Sequence, residues 1–312
     1  MEKVYKHLVY EKGKDAILRL TLNDPGTLNA LSWKGEDALL WELFDGVKKG
    51  GDDDDIKVII IKGAGKAFSS GHNLKEVGVV YGFSTKKGEE QIKPSQRVRL
   101  GFDRKVWWDG WPTIFYSKKP MIAQVHGYCL GAGCYLAIFC DITVAAEDSV
   151  FGFPEQRLGG ALSFWQHLIS LVGYKNASEL ILTGNRIGAQ EALRMGLVNR
   201  VVPKEELDEI AEKLAKEITL IPKDALAIAK SFQHLAYDSM GFTQAFSQGY
   251  FGHSFMTNQK YDKGEFVFFK ERRDKGAREA FHKRDERFKE LEEKVVKSSP
   301  QPKEGRDDGT II

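Results

Sequence analysis

The stretch that decides the fold is GYCLGAGCYL, Gly127 to Leu136. Gly127, Gly131, Ala132 and Gly133 crowd together here, and the apolar segment Leu136-Ala137-Ile138-Phe139 follows at once. Glycine inside a helix costs about 1 kcal/mol relative to alanine. Its value lies in positive φ and in close approach of other backbone. Upstream, residues 121–126 read as a buried strand; downstream, residues 133–140 read as a buried helix. The first amides of a helix have no internal partner and carry the positive end of its dipole. An exposed N–H pair at such a place holds a developing negative oxygen. A glycine-rich turn by itself serves tight packing equally well, and Tyr135 beside it needs its own explanation.

Working outward, MIAQVHGYCLGAGCYLAIFC has almost the length of a membrane span,. Gln124, His126 and the glycines interrupt it and Asp141 closes it, so it reads as strand, turn and helix. The N-terminal MEKVYKHLVYEKGKD lacks the apolar core of a signal peptide, so a cytoplasmic protein with no membrane partner is expected,. Across 312 residues, 42% hydrophobic and 29% charged content describe an ordinary globular chain,. A net charge of +2, with no compact basic-aromatic patch, argues against a nucleic-acid partner,. Cys129, Cys134 and Cys140 are odd in number and make no disulfide framework; they read as small buried hydrophobes in a reducing compartment,.

VYKHLVY and AILRLTL alternate as a hairpin,. From Ser32 the pattern turns helical, with Leu39, Leu40, Leu43, Phe44 and Val47 inward and Gly50-Gly51 as the stop,. Asp52 to Asp55 form a solvated turn rather than a metal site,. VIIIKG (58–63) is a buried strand, 75–96 the segment expected to be mobile, and 97–116 a helix bearing Trp107, Trp108 and Trp111. DITVAA (141–146) is another strand. From residue 161 the chain is expected to be helical apart from 198–202, with helices at 161–172, 176–182, 189–195, 204–219, 223–238 and 263–294. The layout is an α/β core over 1–200, a helical C-terminal region over 201–296 and a disordered tail over 297–312.

Two further loops share the character of the glycine turn. AFSSGHNL follows the strand at 58–63 with small residues Ser69, Ser70 and Gly71, and FGFPEQRLGG carries Glu155 after a proline. Together the segments resemble the crotonase superfamily, the enoyl-CoA hydratase/isomerase group. The resemblance rests on NDPGTLNALS (23–32), on VIIIKGAGKAFSSGHNL, on IAQVHGYCLGAGCYLAIFCDITVAAEDSVFGFPEQRLG and on LTGNRIGAQEALRMGLVNRVVP, which follow one another in the family's order. It covers roughly residues 5 to 290.

The resemblance implies a spiral of β-β-α units and an enzyme of acyl-CoA thioesters. Coenzyme A would arrive as part of the substrate, with no tightly bound cofactor and no metal. Backbone amides of Ser70 and Ala132 would stabilise the enolate. Leu28, Ala30, Ser70, His72, Asn73 and Leu74 would contact the coenzyme. Phe281 and Lys283, in AFHKRDERF, match a helix that approaches the nucleotide end, often on an adjacent subunit. A homotrimer or homohexamer built through the C-terminal region follows from the same likeness. Hydratases of the group use two glutamates; here Glu155 matches one and Tyr135 stands where the other belongs. A phenol with pKa near ~10 is a poor base at neutral pH, though it donates a hydrogen bond well. Glu155 is therefore the single general acid/base, for isomerisation, atypical hydration or C–C lysis or hydrolysis of an enoyl- or cyclic acyl-CoA. The competing reading is a CoA-binding or interaction protein whose catalysis went with the first glutamate. Phe164 and Trp165 are expected in the acyl-pocket wall, Trp107, Trp108 and Trp111 in its cover or in the core, His72 on a loop surface or against the coenzyme, and His126 as a hydrogen-bonded core histidine.

Overall fold

The computed structural model describes residues 4–80, 94–160, 163–255 and 259–296. Its core is two sheets laid down by one repeating step. The hairpin β1 (Leu8–Lys12) and β2 (Ile17–Leu22) opens the chain and α1 (Leu39–Asp52) follows. Then β3 (Val58–Gly63) enters one sheet and β4 (Ala67–Ser69) the other. After α2 (Leu74–Val80), α3 (Gln96–Asp103) and α4 (Trp111–Phe115), the step recurs as β5 (Met121–Val125), β6 (Tyr128–Leu130) and α5 (Ala132–Phe139). It recurs once more as β7 (Ile142–Ala146) and β8 (Val150–Gly152). With β9 at Arg186–Gly188 and β10 at Arg200–Val202, the first sheet runs β1-β2-β3-β5-β7-β10 and the second β4-β6-β8-β9, so the pairs β3/β4, β5/β6 and β7/β8 are each divided between sheets while the β1-β2 hairpin stays in the first. This is the expected spiral of β-β-α units.

The remaining elements are α6 (Trp165–Thr183), β9 (Arg186–Gly188), α7 (Ala189–Met195), β10 (Arg200–Val202), α8 (Leu207–Thr219), α9 (Lys223–Ser239), α10 (Phe242–Phe255), α11 (Phe268–Lys275) and α12 (Ala277–Val296). The C-terminal region is helical, as expected. Four details differ from the sequence reading. Ser32 to Ala38 is not helical, and α1 starts at Leu39. β4, β6, β8, β9 and α10 have no counterpart in it, the first three falling in segments read as loop or turn. Gly276, at φ 90°, divides the final helix into α11 and α12, because a positive φ cannot continue an α-helix,. Between α3 and α4, Arg104–Gly110 is wound as a π-helix, which widens the turn around Trp107,. Of the segment expected to be mobile, 81–93 lies outside the described residues, as does the tail at 297–312.

Strand alternation places two cores. Ile59 and Ile61 of β3 face the large core with Trp111, Phe139 and Phe164. Val58 and Ile60 face the opposite side, where Ile122, Val144 and α8 residues Leu207, Leu214 and Ala215 close over them,. The run reads as continuous apolar sequence because both faces are covered. Asp52 to Asp55 meet Lys118, Lys12 and Lys223 as surface ion pairs, and among the described residues no group of three or more acidic, histidine or cysteine ligands is placed to hold a metal. All three cysteines are free and buried.

The crossing between sheets accounts for the glycines. Gly127 turns the chain from β5 to β6 at φ 56°, with the Lys66 carbonyl in the space of its absent β-carbon. Gly133 lets α5 approach β4; a β-carbon there would sit 2.6 Å from the Ser69 carbonyl oxygen. Ile60 is 1% exposed between the sheet and α8. Replacing it with alanine leaves a cavity at that seam and is expected to cost about 2–5 kcal/mol, read from the denaturant midpoint at unchanged m-value.

Candidate active site

The two glycine-bearing loops meet. A β-carbon on Gly71, whose φ is 92°, would lie 2.6 Å from the Leu130 carbonyl oxygen and 3.1 Å from the Ala132 nitrogen. Only glycine allows the loop after β4 to lie against the start of α5 this closely. Gly131 caps α5 without any side-chain hydrogen bond, and the Ala132 N–H has no acceptor among the described residues.

The amides of the facing loop are accounted for one by one. Ser70 N–H donates to the Leu28 carbonyl at 2.9 Å. Gly71 N–H donates to Ser69 Oγ at 3.2 Å, and Asn73 N–H to the Leu31 carbonyl at 3.3 Å. His72 N–H has no acceptor among the described residues. This corrects the sequence reading: the Ser70 amide is committed to the neighbouring chain segment, and the free donor in the loop is His72, two residues on. Ser70 instead lines the cavity, its Oγ donating to the Thr27 carbonyl at 3.1 Å.

Both loops open on a cavity of about 380 Å³. Leu28, Ala30, Ser70, His72, Asn73, Leu74, Ala132, Tyr135, Glu155 and Phe281 all line it. Phe281 does so from α12 of the same chain. Lys283 does not line it; its Nζ pairs with Glu271 at 2.6 Å, and Arg284 occupies the wall instead. Nor do Phe164 and Trp165. Phe164 is fully buried behind Tyr135 and Trp107, with ring centroids 5.1 and 5.6 Å away. The tryptophans divide: Trp107 forms wall, Trp111 is core, and Trp108 packs half-buried against the core. Trp33, His253, Phe269, Arg272 and Arg278 join the lining. Their sequence neighbourhoods carry no signal for this, because they come from the segment before α1 and from helices more than a hundred residues past the glycine turn.

Glu155 is the second residue of the short 3-10 turn Pro154–Leu158 after β8, walled in by protein and cavity. Tyr135 Oη donates to its Oε1 at 2.5 Å, while Oε2 is buried without a partner. Burial pushes the Glu155 carboxyl up to about 7, opposed by the Tyr135 bond, which favours the charged form,. The residue in place of a second carboxylate thus holds the first. His72 is no surface histidine. Its ring lies 4.7 Å from Trp33 and 5.7 Å from Trp107, centroid to centroid, and burial lowers it to about 4, so it is neutral at pH 7. His126 is hydrogen-bonded, Nε2 lying 2.9 Å from the Gly65 carbonyl oxygen, but it is half-buried rather than in the core as expected.

Fold and site define a carboxyl-bearing cavity in a two-sheet spiral, and comparison with known proteins places the chain. The family model described as Enoyl-CoA hydratase/isomerase matches residues 12–277. A probable mitochondrial enoyl-CoA hydratase of Dictyostelium discoideum is 39% identical over 230 residues, 73% of this chain and 75% of that protein. The 2,3-dehydroadipyl-CoA hydratase of Escherichia coli strain K12 is 36% identical, over 69% of this chain and 76% of that one. The crystal structure of an enoyl-CoA hydratase/isomerase from Xanthobacter autotrophicus Py2 superposes with a TM-score of 0.78 at 32% identity, covering 91% of this chain and 99% of that one. The chain belongs to the enoyl-CoA hydratase/isomerase family.

Removing the Tyr135 hydroxyl removes the hydrogen bond that favours ionised Glu155. In Tyr135→Phe the Glu155 carboxyl is expected to titrate above its starting value of about 7. Carbon-13 NMR of labelled glutamate carboxyls reads this directly; an unchanged or lower value would show that the phenol does not stabilise the anion.

Proposed function

We propose that the protein is an acyl-CoA thioester enzyme that stabilises an enolate on the amides of His72 and Ala132, with Glu155 as its single general acid/base. The observation that carries this reading is the abutment of two unbonded backbone donors beside a buried carboxyl of raised pKa. A thioester oxygen set between the amides gains two fixed dipoles as its charge grows. Each such donor is worth about 3–4 kcal/mol in the transition state. Unpartnered Oε2 faces the reaction as base while Tyr135 holds Oε1. The charged form is scarce enough below neutrality to return a proton and available enough above it to take one.

One carboxyl suits a proton shift between carbons, and isomerisation of an enoyl-CoA is the reaction this arrangement supports best. Hydration by Glu155 alone is the second reading, favoured by the hydratase names of the relatives. Tyr135 donates to the carboxylate, so it is not placed as a second base for water. Exposed Lys75 and Arg278 in the cavity lining suit the phosphates of coenzyme A,. Self-association through the C-terminal region is supported by Ile228, Phe232 and Leu235, exposed at 57, 69 and 62% and spaced to form one stripe on α9,.

Glu155→Gln is expected to lower turnover at least ~100-fold with thioester binding retained. In the wild type kcat/KM for proton abstraction should rise as pH passes about 7, where Glu155 ionises. An unaffected rate in the variant would remove Glu155 from the mechanism. Mass spectrometry of products from an acyl-CoA panel separates isomerisation, with no mass change, from hydration, with the gain of water.

A further inference from the structure

Arg272 of α11 brings a positive charge into the cavity wall at 5% exposure. Its Nη1 donates to the Leu74 carbonyl, and its Cζ stands 5.3 Å from the Phe269 ring centroid. Nη2 is buried with no hydrogen-bond partner. Other buried cations have carboxylates: Arg284 meets Asp285 at 2.6 Å, Lys230 meets Asp141 at 2.7 Å and Arg99 meets Asp103 at 2.8 Å. Arg272 forms no such pair among the described residues, and burial lowers its pKa with no carboxylate opposing. An arginine stays charged regardless, so the fold holds an uncompensated buried cation beside an open volume. Gly78 of α2 makes room for it: a β-carbon there would lie 2.4 Å from Arg272 Nη2 and 2.9 Å from its Cζ.

We propose that Arg272 takes an anionic oxygen of the bound thioester, and that this oxygen belongs to a carboxylate on the acyl chain. The inference rests on the thioester reading above. Lys75 and Arg278 are exposed and reach the coenzyme phosphates without desolvation, whereas Arg272 is enclosed. Its Nη2 has no acceptor among the described residues, and a carboxylate is the planar group a guanidinium matches best,. The acyl groups this site selects are those of dicarboxylic acids, in place of plain hydrocarbon chains of the same length.

The test is calorimetry on the full chain with succinyl-, glutaryl- and adipyl-CoA against butyryl-, pentanoyl- and hexanoyl-CoA, and with CoA and 3′-dephospho-CoA. At least one diacid thioester should bind ~10-fold or more tightly than its hydrocarbon partner, about 1.4 kcal/mol. Arg272→Met should erase that ratio and Arg272→Lys should keep part of it. If Arg272→Met does not fold, the Lys variant carries the comparison, with a smaller ratio than wild type expected. Loss of affinity shared by CoA and every thioester, and absent with dephospho-CoA, would assign Arg272 to the phosphate and overturn the acyl carboxylate. Equal binding of every pair in wild type and variants would overturn the site altogether. Failure of the wild type to bind CoA or any thioester would instead refute the thioester reading.

Discussion

Backbone from two bends approaches here within the space of a single β-carbon, and the rest of the site depends on that approach. Gly71 has the Leu130 carbonyl and the Ala132 nitrogen where a side chain would begin, and Gly133 has the Ser69 carbonyl. The approach exists because three successive strand pairs, β3/β4, β5/β6 and β7/β8, are each split between two sheets. The loops after β4 and β6 therefore emerge side by side, as parallel neighbours in the four-stranded sheet. Parallel pairing of β6 with β8 brings the segment carrying Glu155 to the same edge. Backbone amides, a carboxyl and the cavity are thus products of one topological step taken three times.

The electrostatics follow from enclosure. Taken out of water, Glu155 resists ionisation and Tyr135 partly restores it, leaving a carboxyl balanced near neutrality,. His72 responds to the same enclosure in the opposite sense and stays uncharged beside Trp33 and Trp107. With His72 neutral, the proposed mechanism draws its positive potential at the thioester oxygen from peptide dipoles, which need no reorganisation during reaction. Arg272 adds a buried full charge to the lining, which Lys75 and Arg278 join as exposed ones.

Much of this was legible in the sequence because it is written locally. The unbroken VIIIKG run, the glycine turn before an apolar helix and the proline-glutamate loop each carry their meaning within a few residues. What escaped was decided by distant chain. Whether the Ser70 or the His72 amide is free depends on a carbonyl at Leu28, which occupies the first. Phe164 looked like pocket wall but is covered by Tyr135 and Trp107. Lys283 looked like a ligand-facing base, yet Glu271 on the preceding helix claims it and Arg284 takes the wall. The π-helical turn at Trp107 and the short β9 have no periodic signature that a window of residues could reveal.

The central claim is that the thioester oxygen rests between the amides of His72 and Ala132. A crystal structure of the Glu155→Gln variant with a bound enoyl-CoA tests it most directly. The account places that oxygen within about 3 Å of both nitrogens. An oxygen bonded to the Ser70 amide, or directed away from the start of α5, would contradict it.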